Sequence, residues 1–404
     1  MDKKVNILLF HPWIKSFGGA EKLVYEYTLR SKNRITILTW LYSPKRTFDF
    51  RKSRILSIFP PIFEPMARSF FSRAIFSVLA SAITLPPEVS NYYDILLLSS
   101  SGLGELFLLT AHIGIPKIAY IHTPLRAACT WDIYWNIQYR FNKEILRTIY
   151  KFNVYSYNYL EKKAWSKIDF AIFNSRLSLQ RAKEKKLITD YKKVTVIYPG
   201  VELERFYFGE SQRYFLYVAR YGLAKRQHIL IKAFSRLLKD YPDERYQLIL
   251  IGGLENKKYF NYLVRLAKKL GVLNKVKFLY DVPIDVLVRY YAHSLAFVHI
   301  PFMEDFGISP IEAAAAGKYI INVYPSGNYE ILKDAPGVYW IKEPFKEERL
   351  VDEVYKAMKY FIENKDSLIE LGKKNRKFIM RKNLSWERFA KEMDQTLEEV
   401  YSSL

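Results

Sequence analysis

Two glutamates eight positions apart, Glu304 and Glu312, stand in the stretch EDFGISPIEAAAAG, Glu304 to Gly317. Ser309, Pro310, Ile311 and Glu312 read as the N-cap and first three residues of a helix, a capping box with proline at its preferred place. The alanine run extends that helix and Gly317 stops it. Glu312 therefore has a complete local explanation. Glu304 does not: it sits in a loop after the apolar run AFVHIPF, where an acid gains little unless it accepts hydrogen bonds from something. Arg220 and Lys225, in VARYGLAKRQ, are two cations on a strand-to-helix loop. Together they suit a diphosphate, the guanidinium clamping oxygens and the ammonium adding a point charge; two solvated surface cations would look the same. Gly18 and Gly19, ahead of EKLVYEYTLR, let backbone N–H groups approach an anion, or make a simple tight turn. Glu21 falls in the first turn of the helix that follows, where an acid is favourable anyway. His122, in YIHTPLR, closes an apolar run and is a catalyst or a structural hydrogen-bonder.

The elements around these residues alternate. In the first half, Val5–Phe10, Arg34–Trp40, Tyr93–Ser100, Lys117–Thr123, Asp169–Ser175 and Lys193–Gly200 read as strands. Short apolar runs of this kind suit buried parallel strands. Helical patterns separate them, including an aromatic-rich one over Lys143–Lys167. The pattern restarts with RYFLYVARY, YQLILIGG, VKFLYDV, LAFVHIP and KYIINVY as strands, and the chain ends in charged helical sequence from Leu350. Strands alternating with helices predict an α/β protein with two doubly wound parallel sheets. The boundaries are read as 1–200, 201–382, and a closing helix over 383–404 that returns to the first domain. Ligands of such sheets bind outside the carboxyl ends of the strands, where the glycines, cations and acids above all fall.

Composition narrows the function. With 404 residues, half of them hydrophobic, the chain is globular and long enough for two cores. One cysteine, Cys129, forms no intrachain disulfide and no thiolate zinc cage, which fits a reducing compartment and a cytoplasmic enzyme. The start, MDKKVNILLF, runs straight into a strand without a signal-peptide pattern. A net charge of +22 suits nucleic acid, an anionic membrane surface or an anionic substrate. No zinc-finger spacing, RNP signature or basic zipper is present, so a nucleic-acid partner is not expected. Arg51–Glu88 mixes Arg and Lys with Phe, Ile and Leu. Its longest apolar run, Ala74–Leu85, is too short to span a bilayer. The segment lies in a membrane interface or packs as a helix pair on the core.

In combination, GGAEKLVYE, HTPLR, FNS with VIYPGVELERF, VARYGLAKRQ, LILIGG and EDFGISPIEAAAAG resemble the GT-B glycosyltransferases of family 4, the group 1 type, in the family's order and over nearly the whole chain. The last stretch matches that family's E-x7-E motif. YIHTPLR followed by Trp131-Asp132 is similar to the WbaZ-like mannosyltransferase branch, although AACT here separates Arg126 from Trp131. The resemblance implies a retaining hexosyltransferase that uses a nucleotide-diphospho-sugar, GDP-mannose or a UDP-hexose, with no metal and no cofactor. It places Glu312 on the ribose and Glu304 on the transferred sugar, near the amides of Phe306, Gly307 and Ile308. Arg220 and Lys225 hold the diphosphate, Gly18 and Gly19 serve the phosphates and acceptor, His122 contacts the donor sugar, and Gly252 and Gly253 line the base. Arg126, Trp131 and Asp132 are acceptor candidates. The acceptor is expected to be a lipid-linked glycan met at the membrane through 51–88. A soluble acceptor, as in sucrose- or glycogen-synthase relatives, and a non-catalytic sugar- or nucleic-acid-binding protein on the same scaffold are the alternatives.

Overall fold

The computed structural model describes residues 4–403 apart from 68–69, 83–84, 86, 140–142, 191–192, 243 and 344. It divides into two compact units, Met1–Gly200 with Trp386–Leu404, and Val201–Ser385.

The first unit is built on eight strands: β1 (Asn6–Phe10), β2 (Trp13–Ile14), β3 (Arg34–Tyr42), β4 (Arg54–Phe59), β5 (Ile95–Ser100), β6 (Lys117–Ile121), β7 (Phe170–Phe173) and β8 (Val194–Val196). The order is β2-β3-β1-β5-β6-β7-β8, with β4 paired to β3, and every pairing is parallel. Helices α1 (Gly19–Arg30), α2 (Phe70–Ala80), α3 (Thr130–Tyr139), α4 (Glu144–Trp165) and α5 (Arg176–Glu184) accompany them. Successive side chains of a strand point to opposite faces. Ile7 and Leu9 of β1 thus join one core with Leu23 and Tyr27, while Leu8 and Phe10 join the other with Phe76, Phe107 and Trp165. Burial on both faces is why β1 and β5 read as unbroken apolar runs.

The segment 51–88 is packed in part. It supplies β4, which the sequence pattern did not reveal, and α2, whose Phe76 and Ala80 are in the core. Ile75, Val78 and Leu79 of α2 are exposed. Ile83 and Thr84 of its apolar run lie outside the described residues.

The second unit holds six parallel strands, β9 (Tyr214–Val218), β10 (Gln247–Ile251), β11 (Val276–Leu279), β12 (Ala296–His299), β13 (Ile320–Tyr324) and β14 (Val338–Lys342), ordered β11-β10-β9-β12-β13-β14. Helices α6 (Gln227–Asp240), α7 (Lys257–Lys269), α8 (Ile284–His293), α9 (Ile308–Ala315), α10 (Tyr329–Leu332), α11 (Glu347–Glu363) and α12 (Lys365–Met380) connect and cover them. The last helix, α13 (Trp386–Ser403), belongs to the first unit. Its Trp386, Phe389, Met393, Leu397 and Val400, three or four residues apart, form one buried stripe. Tyr27 donates to Asp394 at 2.8 Å and Arg30 to Glu387 at 2.7 Å, fixing α13 to α1.

In each sheet the strand order reverses at one place: between β1 and β5 in the first unit, and between β9 and β12 in the second. At such a switch point the loops leaving two adjacent strands diverge and leave a crevice at the carboxyl edge.

Candidate active site

In the second unit, β9 leads through Ala219–Arg226 into α6, and β12 leads through Ile300–Gly307 into α9. These two loops carry Arg220 and Lys225 on one side and Glu304 on the other. They meet: Phe302 N–H donates to the Ala224 carbonyl at 2.8 Å, and the Lys225 ammonium donates to Glu304 Oε2. Both side chains are mostly shielded, 14% and 20% exposed. Glu304, unexplained by its local sequence, thus has a cation for a partner. Tyr217 OH bonds the Lys225 carbonyl from below. Next to it, Arg226 adopts a left-handed conformation, φ +57°. Its buried guanidinium is held bidentately by Glu343, at 2.5 and 3.1 Å, and lies over the Phe302 ring. Arg220 is different. Its side chain is 65% exposed, with Nη1 3.4 Å from Glu255.

The capping box read at Ser309–Glu312 is not formed. Helix α9 begins two residues earlier, at Ile308, with Gly307 as N-cap at φ +75° and no side-chain cap. A Cβ on Gly307 would lie 2.6 Å from Asn328 Nδ2, so the residue is glycine for both conformation and space. Asn328 donates to the Gly307 carbonyl at 3.3 Å, and Gly327 N–H to that of Glu304 at 2.7 Å. With Ser309 inside the helix, its hydroxyl faces His299 Nδ1 at 3.3 Å. The Glu312 Oε2 accepts from Tyr291 OH at 2.8 Å. Gly317 ends the helix as expected. At φ +70° it donates to Ala314, while Lys318 N–H reaches Ala313.

His299, the last residue of β12, lies under this loop. Burial lowers its pKa to about 3, with Glu304 raising it and Lys225 lowering it. The imidazole is neutral, and its buried Nε2 has no hydrogen-bond partner. Gly252 follows β10, and a Cβ there would fall 2.0 Å from the Ala219 carbonyl oxygen. The glycine is what lets this loop touch the one bearing Arg220. Gly253 accepts from Tyr221 N–H at 2.8 Å, and a Cβ there would meet Arg220 Cγ at an ordinary 3.9 Å.

In the first unit, Gly18 is the N-cap of α1. The Glu21 carboxylate folds back onto it, with Oε2 2.2 Å from where a Cβ would be, and accepts from Ser16 Oγ at 2.6 Å. The helix's positive end is thus covered by the chain's own carboxylate. His122 follows β6 and takes its place beside β5: its N–H donates to the Ser100 carbonyl at 2.8 Å, and Nε2 lies 2.9 Å from Ser99 Oγ. His11, after β1, meets the same hydroxyl at 3.0 Å. The three strands β1, β5 and β6 therefore converge a His-Ser-His chain at the switch point. Burial, and then His11, lowers the His122 pKa to about 3. Burial lowers that of His11. Neither ring suits proton shuttling near pH 7. Of the acceptor candidates, Asp132 is buried between Arg126, at 2.9 Å, and Arg181. A carboxylate clasped so tightly is foremost a structural anchor for α3. Trp131 remains partly exposed.

An edge carrying two cations, one carboxylate paired to a cation and a second held by a tyrosine can bind a diphosphate and hydroxyls together. Residues 203–379 match the family model for glycosyl transferases group 1. The chain is 23% identical over 380 residues to the alpha-1,3/1,6-mannosyltransferase ALG2 of Dictyostelium discoideum, covering 84% of this chain and 86% of the relative. The chain is a glycosyltransferase whose residues 203–379 form a group 1 domain. A second relative, the GDP-Man:Man(3)GlcNAc(2)-PP-Dol alpha-1,2-mannosyltransferase of the same organism, is 22% identical over 362 residues, 78% of this glycosyltransferase and 70% of that chain. Anabaena HepE, solved in complex with UDP and glucose, superposes with a TM-score of 0.67 over 99% of this glycosyltransferase and all of that chain at 16% identity. The fold is GT-B, two Rossmann-like parallel-sheet domains.

The glycosyltransferase's Tyr291, His299, His11 and Ser99 were not singled out from the sequence. His11 had the one usable signal, a polar residue directly after a strand. Tyr291 lies on α8 and is indistinguishable by pattern from a core aromatic. Among the described residues no group of three or more His, Cys, Asp or Glu side chains is arranged to hold a metal ion.

Proposed function

We propose that this glycosyltransferase moves a hexose, mannose in the first instance, from a nucleotide-diphospho-sugar to a lipid-linked glycan with retention of configuration. The observation that carries the reading is the junction of the β9 and β12 loops. It brings Lys225 to Glu304, beside an α9 on which Tyr291 holds Glu312, and this supports assigning the donor to that sheet edge. Breaking the sugar–phosphate bond leaves an oxocarbenium-like carbon and a diphosphate whose charge grows in the transition state. Preorganised cations stabilise that charge most effectively. Lys225 and Arg220 are assigned to it, with no metal or cofactor. Lys225 is the fixed one, its backbone tied down by Tyr217 and its ammonium by Glu304. Arg220, exposed, is free to swing onto the phosphates.

Glu304 is assigned to the sugar hydroxyls and Glu312 to the ribose, with the amides of Phe306, Gly307 and Ile308 at the α9 N-terminus completing the edge. Gly252 and Gly253 take the base side. His122 contributes a neutral hydrogen bond to the sugar, and Gly18 and Gly19 their N–H groups once Glu21 swings aside. No protein nucleophile is assigned; the leaving phosphate takes the acceptor proton. The names of the two mannosyltransferase relatives favour mannose, and that of the second favours GDP-mannose as its donor; the UDP of the Anabaena neighbour keeps a UDP-hexose as the competing donor. The reaction is placed in the cytoplasm at a membrane surface. A nucleotide-sugar series in a thermal-shift assay tests the donor, since a ligand of the folded state raises the melting temperature with concentration. GDP-mannose is expected to give the largest rise; a series with no rise from any nucleotide sugar would refute the reading.

A further inference from the structure

Helix α4 is apolar on two opposite sides. One side, with Ala164 and Trp165, joins the core of the first unit. The other carries Ile145, Ile149, Phe152, Tyr155 and Tyr159, spaced by four, three, three and four residues, hence along one stripe. These five side chains are exposed, Phe152 by 69% and Tyr155 by 77%. The stripe runs about 20 Å along the helix. Large exposed apolar stripes of this kind mark interaction surfaces, whereas singly scattered residues do not. Exposed Lys143, Lys151, Lys162 and Lys163 rim it, and Lys163 lies over the Tyr159 ring at 4.5 Å. Of the two acids of the helix, Glu144 is paired with Arg147 and Glu161 is buried against Lys185. Helix α2, which packs on the same core, adds exposed Ile75, Val78 and Leu79. Phe76 and Ala80 of α2 and Ala164 and Trp165 of α4 share a core with Phe107 and Leu108, so both helices cover the same core.

We propose that the outward side of α4, together with the exposed residues of α2, is the surface by which this chain docks on an anionic lipid bilayer. Charge complementarity selects the occupant. Lysines on apolar stems around an aliphatic and aromatic stripe seat the stripe at the acyl boundary and the ammonium groups among anionic headgroups. The chain's charge of +22 adds to the attraction. Among the described residues no helix is long and apolar enough to cross a membrane, so this contact is interfacial. It does not rest on the reading of the reaction, and vesicles lacking any donor or acceptor test it separately.

The experiment is co-sedimentation of the full chain with vesicles of phosphatidylcholine alone and of phosphatidylcholine mixed with phosphatidylglycerol. The wild type is expected to sediment with the mixed vesicles and be released by salt. Phe152→Glu combined with Tyr155→Glu is expected to lower the bound fraction about tenfold, with unchanged circular dichroism. Should that variant fold poorly, Lys162→Glu with Lys163→Glu changes only the exposed rim and is expected to weaken binding in the same direction. Equal binding to neutral vesicles, no binding by the wild type, or folded variants that bind as the wild type does would each overturn the proposal. So would light scattering showing that the apolar variant turns a dimer into a monomer while vesicle binding persists.

Discussion

Replacing Lys225 by alanine separates the chemical role of the β9–β12 junction from its structural role. In the free protein Lys225 pairs with Glu304, and the two side chains are 14% and 20% exposed. Removing the ammonium leaves a largely shielded carboxylate without its cation, which costs about 1–3 kcal/mol. For a unit of this size that is a fall of about 2–4 °C in melting temperature per kcal/mol. The catalytic loss is larger. A preorganised group aimed at developing charge is worth about 10²–10³ in kcat. Arg220→Ala supplies the contrast. Its side chain is 65% exposed and only 3.4 Å from Glu255; such surface pairs are worth about 0–1 kcal/mol, so its melting temperature should stay put while its turnover falls. The assay is release of nucleoside diphosphate during transfer, followed beside a melting curve for each variant. Turnover of Lys225→Ala within about threefold of wild type, with the fold intact, would refute the electrostatic argument.

Three further predictions follow from single contacts. Tyr291→Phe removes the hydrogen bond that orients Glu312; a net loss of about 0.5–1.5 kcal/mol should appear as a higher donor KM with kcat nearly unchanged in steady-state kinetics. Gly252→Ala places a Cβ 2.0 Å from the Ala219 oxygen, whereas at Gly253 the nearest atom is Arg220 Cγ at 3.9 Å. Only the first should lower the melting temperature, by the equivalent of about 1–3 kcal/mol or more. His122 and His299 are held neutral, each with a pKa lowered to about 3. The unfolded chain binds those protons first, so stability rises with pH through this range. It is fully present above about pH 6.5 and lost as pH falls, by about 2 kcal/mol per histidine at pH 5. His122→Asn and His299→Asn should each flatten the fall in melting temperature between pH 7 and pH 5, and an unchanged slope would show that the rings are not buried neutral.

The two sheets were legible in the sequence because parallel strands buried on both faces leave continuous apolar runs, as in Ile7–Phe10 and Leu248–Ile251. The strand Arg54–Phe59 was not. It lies at the sheet edge, exposes Leu56, and mixes charge with apolar residues as an amphipathic helix would. The acid Glu304 could be picked out because nothing nearby explained it. Its partner Lys225 stands on the loop after a different strand, and a contact 79 residues apart leaves no local trace. The capping box misled for the opposite reason. Ser-Pro-Ile-Glu satisfies the local rule, but Asn328 and Gly327 hold the preceding loop so that Gly307 starts the helix. Tertiary contacts overrode a propensity worth about 1 kcal/mol. The exposed stripe of α4 was visible only as aromatic richness, because sequence periodicity cannot say which of two apolar sides a helix buries.

The central claim is that the β9–β12 edge holds a nucleotide sugar for transfer. Its most direct test is a transfer assay in which radiolabelled GDP-mannose and UDP-hexoses are offered with lipid-linked glycan acceptors to the wild type and to Glu304→Ala. The account predicts labelled glycolipid from the wild type with one donor. It predicts none from Glu304→Ala, even though nucleotide still raises that variant's melting temperature. Full transfer by Glu304→Ala, or no transfer by the wild type from any donor, would contradict it.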